Sequence, residues 1–392
     1  MSIEKRCRWF VFILGAMLNS MAIAAESPNL QDVARNLVQS ARVTAGDKVV
    51  VTGSVRDAAL MEHVAIETMK AGGQPLIVLN SEQLLRRSYD EVPEKYDTTA
   101  PALDLVLANA ADVQIAIEVG ETEGLLAGVP EARLTARTKA YEPVTETVLR
   151  RNVRLISLGN DLYPTASLSQ RLGMTQPELE STFWKAASVP SDALRAKGAA
   201  LRDVIAKAKN VSVTHPNGTD ITFSVDGERG FVSDGAIGAD EVKQGGAALL
   251  TWLPAGELIL PAAAGTADGT VVVEKVLWRG TEIRNLKLAY SKGQLTAMTA
   301  ESNLEGLKEA YDSSGGAKDQ FGYIDIGLNP EARVPLGTGR VIWMAPGAIT
   351  LGLGDNRGFG GTNASEFGLA TQLGGATLKA DGVTVIESGN LR

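Results

Sequence analysis

His215-Pro-Asn-Gly-Thr-Asp-Ile-Thr-Phe-Ser-Val225 and Leu253-Pro-Ala-Gly-Glu-Leu-Ile-Leu-Pro261 bracket the stretch on which the reading of this chain turns. In the first, Pro-Asn-Gly supplies a tight reversal with positive φ, and Ile221, Phe223 and Val225 alternate with Thr222 and Ser224, the period of a half-buried strand. In the second, a lone carboxylate, Glu257, stands on a Pro-Ala-Gly turn ahead of an apolar run. An acid so placed enters a core only with a partner. Otherwise it caps N–H groups of its own turn.

Upstream of this stretch the pattern is a repeating alternation. Helical spacing at Leu30, Val33, Leu37 and Ala41 gives way to a short apolar strand at 49–52, a helix at 57–72 and a strand at 75–79. A helix at 103–111, a strand at 113–117, a long charged helix to about Asn152 and a strand at 153–157 complete the series. Short, nearly continuous apolar strands separated by helices predict βαβ units around a mostly parallel sheet. A helical stretch at 176–209, broken at Ser188-Val-Pro-Ser191, leads out of this layer.

From Val211 onward the chain turns to short strands and Gly-rich turns. Residues 271–277 and 282–291 alternate around Arg279-Gly280 as an antiparallel pair, and 301–312 reads as an amphipathic helix. Strands are expected at 323–326, 341–345 and 348–353, with a closing hairpin at 376–386 turned by Asp381-Gly382. The expected organisation is an α/β amino-terminal domain over 26–209 and an α+β carboxy-terminal domain over 210–392. A chain of 392 residues exceeds what one core usually holds.

Residues 1–25 read as a secretory signal. Lys5, Arg6 and Arg8 precede an apolar run that ends in Ala22-Ile-Ala24. That run is short for a membrane span, so no stable anchor is expected once it is removed, and the expected destination is the periplasm or the medium. The only cysteine, Cys7, lies inside this segment, which excludes disulfides and thiol chemistry from the mature chain. The net charge of −8 becomes −10 without residues 1–25, since Lys5, Arg6 and Arg8 leave together with Glu4. Such a balance argues against nucleic acid as a partner.

Histidine is scarce. His63 falls on the 57–72 helix and His215 precedes Pro216 at a strand–turn junction. There is no H-E-x-x-H pair, no G-x-S-x-G elbow, and Gly53-Ser-Val-Arg56 after the first strand is neither a dinucleotide fingerprint nor a phosphate loop. What remains is carboxylate chemistry: Glu257, Asp268, Asp325, Asp355 and Glu366 all stand in or beside Gly-rich turns of the second half. An all-oxygen site of that kind selects magnesium, manganese or calcium. Taken singly, each of these acids reads first as a solvated turn residue. Gly352-Leu-Gly-Asp-Asn-Arg-Gly-Phe-Gly-Gly361 reads either as an anion cradle or as a plain connecting loop.

The order of the motifs resembles one family. Ala45-Gly-Asp-Lys-Val-Val-Val51, Asp161-Leu-Tyr-Pro-Thr165, Gly173-Met-Thr175, Pro216-Asn-Gly-Thr-Asp-Ile-Thr-Phe223, Leu253-Pro-Ala-Gly-Glu257, Gly265-Thr-Ala-Asp-Gly269 and Ile326-Gly-Leu-Asn-Pro330 stand in the sequence of the aminopeptidase T/aminopeptidase S family of two-metal exopeptidases. That scaffold is also seen in a ring-cleaving dihydroxypyridine dioxygenase. The resemblance implies an α/β amino-terminal domain, a carboxy-terminal domain of the aminopeptidase T type that carries the site, and a homodimer. It implies that Glu257 is a metal ligand. It also places Tyr323 where a second glutamate belongs, Thr350 where the first histidine belongs, and Gly368-Leu-Ala370 on a His-x-Asp pair. Most of the divalent-metal shell is thus replaced, with Asp325, Asp355 and Glu366 as substitute ligands or no metal at all. Two functions are consistent with this: a diverged exported aminopeptidase-like hydrolase, and a non-catalytic binder of a peptide or small molecule on the same fold.

Overall fold

A computed structural model describes residues 28–227 and 229–392; the expected signal segment lies outside the described residues. The alternating first part forms a parallel sheet of β1 (Lys48–Ser54), β2 (Gln74–Asn80), β3 (Val113–Ile117), β4 (Arg154–Leu158) and β8 (Leu250–Leu253), in the order β2-β1-β3-β4-β8. The helices Leu30–Ser40 and Ala58–Lys70 pack on it, closing a core of Leu37, Val51, Met61, Ile115, Ile156 and Phe183. One face of β1, β3 and β4 is buried and the other half-buried, while β2 at the edge is mostly exposed. The fifth strand comes from beyond the expected division at 209/210 and pairs Leu155 with Leu250 through Leu158 with Leu253.

The later part is antiparallel. One sheet contains β5 (Val211–His215), β6 (Thr219–Phe223), β10 (Asp268–Trp278), β11 (Thr281–Ser291), β12 (Gln294–Thr299), β16 (Thr377–Ala380), β17 (Val383–Glu387) and β18 (Asn390–Leu391), in the order β12-β11-β10-β6-β5-β16-β17-β18. Another runs β15-β14-β13-β9-β7, built from β7 (Phe231–Ser233), β9 (Glu257–Pro261), β13 (Phe321–Gly327), β14 (Ile349–Gly354) and β15 (Gly368–Leu373). Val213, Ile221, Phe223, Leu258, Leu260, Ile324, Ile326 and Leu351 fill one core between these two sheets. The chain is therefore an α/β amino-terminal layer followed by an α+β part built on two antiparallel sheets.

Two local expectations are corrected. No strand forms at 341–345; instead Ile342 exchanges its N–H and C=O with the side chain of Gln372 on β15, at 3.1 and 2.9 Å. A short apolar run can thus be a cover strapped to a sheet by a side chain rather than a strand within it. The helix expected at 301–312 begins later, at Glu305–Ser313. Among the described residues no helix is long and apolar enough to cross a membrane.

Candidate functional site

Three neighbouring parallel strands end at one place. β3 is followed by Glu118, β4 by Gly159-Asn160-Asp161, and β8 by the turn that leads to Glu257. In open α/β sheets the carboxyl ends of the strands are where ligands bind. Here they meet loop residues Arg340, Trp343 and Phe359, together with Trp252, around a cavity of about 560 Å³.

The backbone at these strand ends is held in an uncommon conformation. Gly159 has φ 146°, and a Cβ there would run into the side chain of Glu118. Gly256, at φ 116°, turns the chain into β9 where a Cβ would come within 3.0 Å of the Asn329 backbone. Asn160 and Asp161 follow with φ 48° and 59°, a region that Asn and Asp tolerate better than most residues. Asn160 Nδ2 then donates to the Pro254 carbonyl at 2.9 Å and to Glu257 Oε1. The Asp161 N–H donates to Glu118 Oε2 at 3.0 Å. Asp161 itself accepts from Trp343 Nε1 at 2.8 Å and lies 3.2 Å from Arg340 Nη2.

Crowding of acids at one spot raises their proton affinity. Burial pushes Glu118 up to about 7, helped by the charge of Asp161 and opposed by Arg340. Glu257, 2% exposed, is pushed up to about 8 by burial; the Asn160 hydrogen bond works against this and Asp161 adds to it. Asp325, fully buried, is raised well above the usual carboxylate range by burial and then by Glu257. Among the described residues neither Asp325 oxygen has a hydrogen-bond partner.

The pairing register explains why these positions meet. Tyr323 stands opposite Pro261 and Gly352, Asp325 opposite Ile259 and Thr350, and Glu257 opposite Gly327 and Ser233. Thr350 faces Gln372, Gly352 faces Ala370 and Gly354 faces Gly368. Cross-strand partners share a face, so Glu257, Tyr323, Asp325, Thr350, Gly368 and Ala370 all lie on the side of this sheet away from the core of Leu258, Ile324 and Leu351. That face is covered by aromatic rings: Tyr323 stacks on Phe359 at 4.0 Å between centroids, and Trp343 leans on Phe359 at 5.6 Å.

Two divalent ions do not fit this face. Glycine and alanine offer no donor, and Thr350 gives only a neutral oxygen that already accepts from Gln372 Nε2 at 3.2 Å. Tyr323 fills its own position with a ring, over a glycine, Gly352, whose Cβ would collide with it. Among the described residues no three His, Cys, Asp or Glu side chains are grouped so as to hold a metal ion.

The other acids singled out in the sequence stand elsewhere. Asp355 pairs with Arg357 at 2.6 Å, which also holds Glu142. Glu366 accepts from the Gly315 N–H at 2.8 Å and lies 3.9 Å from Lys139. Asp268 accepts from the Lys292 N–H at 3.0 Å. None of the three lines the cleft of Glu257. His63 is exposed, and His215 is the last residue of β5, with its Nδ1 accepting from the Asn217 N–H at 3.2 Å. In the 352–361 loop the Asn356 side chain is spent on the Gly322 carbonyl and the Asn363 N–H. Residue-by-residue reading missed Glu118, Asn160, Asp161 and Arg340, although the end-of-strand position of the first three was a signal in plain view.

Comparison with known proteins yields three findings. A family model described as thermophilic metalloprotease (M29) matches residues 26–322. The match includes Glu257 and stops one residue short of Tyr323, so all four replaced positions lie beyond it. Among solved structures, wild-type AmpT from Thermus thermophilus has a TM-score of 0.66 at 16% identity, covering 92% of this chain and 98% of its own. A 2,5-dihydroxypyridine dioxygenase from Pseudomonas putida KT2440 has a TM-score of 0.58 at 14% identity, covering 93% of this chain and 96% of its own. At such identities the likeness is one of fold. No curated protein sequence matches the chain.

Proposed function

Because the chain belongs to the thermophilic metalloprotease (M29) family, we propose that it is an exported, diverged aminopeptidase-like protein that receives the amino terminus of a peptide, or a small amine, without the family's two-metal hydrolysis. One observation carries this reading: Glu118, Asp161 and Glu257 line one cleft together with Trp252, Trp343 and Phe359, while the face behind them lacks the donors a metal pair needs. Carboxylates with aromatic faces form a site for an ammonium group.

The chemistry of such a site follows from its proton balance. An arriving ammonium favours the charged forms of Glu118 and Glu257, so binding displaces protons that these groups hold up to about 7 and about 8. Affinity for an amine therefore rises as pH climbs through that range. Asn160 holds Glu257 in place through its amide, and Arg340 keeps Asp161 turned toward the cleft. Export rests on residues 1–25, whose basic start and apolar run match a cleavable signal.

The test is calorimetry on protein lacking residues 1–25, with free and N-acetylated forms of the same peptides, combined with metal analysis and an assay for released amino acids. The expected result is at least tenfold weaker binding of the blocked peptides and no turnover. Two bound divalent ions per chain together with turnover would overturn it. A second reading draws on Asp325, whose two unpartnered oxygens are available to a single hard cation beside Glu257. One equivalent of magnesium, manganese or calcium, with hydrolysis that Glu257→Gln abolishes, would favour that hydrolase.

A further inference from the structure

Next to the carboxylate cleft lies a larger chamber, of about 750 Å³, between the first sheet and the turn of the β10–β11 hairpin. Gly120 and Arg340 line the cleft, the chamber and a narrow gap of about 80 Å³ that contains Glu118. The three spaces thus meet at Gly120 and Arg340, at the carboxyl edge of the parallel sheet. They run from Glu257 beyond β8 to Leu79 and Asn80 at the end of β2.

The charged residues at the chamber wall are already engaged. Glu82 accepts the N–H groups of Glu121 at 2.7 Å and Thr122 at 3.2 Å, and Glu123 pairs with Arg171. Arg279 pairs with Glu131, and Arg340 with Asp161. Beside the small polar side chains of Asn80, Ser81, Ser88 and Thr122, the wall offers a ligand a set of leucines: Leu79, Leu84, Leu85, Leu125, Leu126 and Leu277. Leu79, Leu84 and Leu85 are 55%, 69% and 43% exposed. Exposed leucines gathered in a concavity, and continuous with a polar cleft, mark a binding surface.

We propose that this chamber is the downstream subsite of the same cleft and takes an apolar side chain of an oligopeptide whose free amino terminus lies among Glu118, Asp161 and Glu257. The proposal rests on the reading of the cleft as an amine site. β3 and β4, which carry Glu118 and Asp161 at their ends, lie two and three strand spacings from β2, about 10–14 Å. An extended peptide covers that in about three or four residues. The ligand is accordingly an oligopeptide with an apolar residue near its third or fourth position.

The experiment compares free-amine hexapeptides of alanine with the same peptides carrying leucine at position three or four, each also in N-acetylated form. Binding is measured by calorimetry on the full mature chain and on Leu84→Asp, a substitution at an exposed site. The expected result is that leucine tightens binding at least tenfold, that Leu84→Asp returns this gain to the alanine level, and that acetylation weakens both peptides alike. If free-amine peptides bind but leucine adds nothing, or if Leu84→Asp leaves its gain intact, the chamber is not a subsite although the amine site stands. If leucine peptides bind equally well when acetylated, the amine reading fails and the proposal, as stated, falls with it.

Discussion

Glu257 and Asp325 project from adjacent antiparallel strands onto the same face of one sheet, two residues out of register, each held short of ionisation by burial. In the register, Asp325 sits opposite Ile259 while Glu257 sits opposite Gly327. Two carboxyls so placed cannot both ionise cheaply, and Asp325, without a donor on either oxygen among the described residues, holds its proton the harder.

This pair makes stability depend on pH with a definite sign. An ordinary glutamic acid loses its proton near 4.5, whereas folded Glu257 keeps it to about 8. Between these values the folded protein binds more protons than the unfolded chain, so unfolding free energy falls as pH rises. The stabilisation is complete below about 4.5 and gone above about 8. The limiting slope is about 1.4 kcal/mol per pH unit for each carboxyl. Denaturation between pH 5 and 8.5 should show this decline, and both Glu257→Gln and Asp325→Asn should flatten it. An unchanged slope in both variants would refute the account.

Asp161 and Arg340 should move Glu118 in opposite directions. Asp161→Asn removes the charge that raises it, so its titration midpoint drops from about 7 by on the order of one pH unit, while Arg340→Met lifts it. Carboxyl carbon chemical shifts followed against pH read both effects. Shifts of the same sign in the two variants would be incompatible with the arrangement described.

Gly159 is expected to tolerate no side chain. Gly159→Ala places a Cβ against Glu118 at φ 146°, which should cost about 2–4 kcal/mol of stability. It should also weaken amine binding by displacing Glu118. Thermal melts and calorimetry on the same preparation check the two consequences, and a variant as stable as the parent would rule out the strain.

The parallel layer was legible in the sequence because short, mostly apolar strands such as Val49-Val-Val51 and Val113-Gln-Ile-Ala-Ile117 alternate with stretches of helical period. The β10–β11 hairpin was legible because Arg279-Gly280 adopts the positive φ that a tight reversal demands. β8 was not, because four residues ending at a proline carry too little periodicity to reveal a parallel partner, Arg154–Leu158, nearly a hundred residues away. At the site, Glu257 announced itself by its turn, and Asp325 was named only as one acid among several. Glu118 was not singled out and Asp161 stood only at the start of a family motif, because strand order, which brings their ends together, is not written in either segment. Trp343 lay in a run read as a strand, and its ring became meaningful only once seen tilted against Phe359.

Four residues after Leu253 completes one sheet, Glu257 opens another. The acid at the heart of the cleft is thus anchored to two differently built layers through a single tight bend, with no linker to absorb their relative movement. Any hinge motion between the layers would tug on that carboxyl directly. Grafting either half onto a foreign partner would sever the strand that fixes its position.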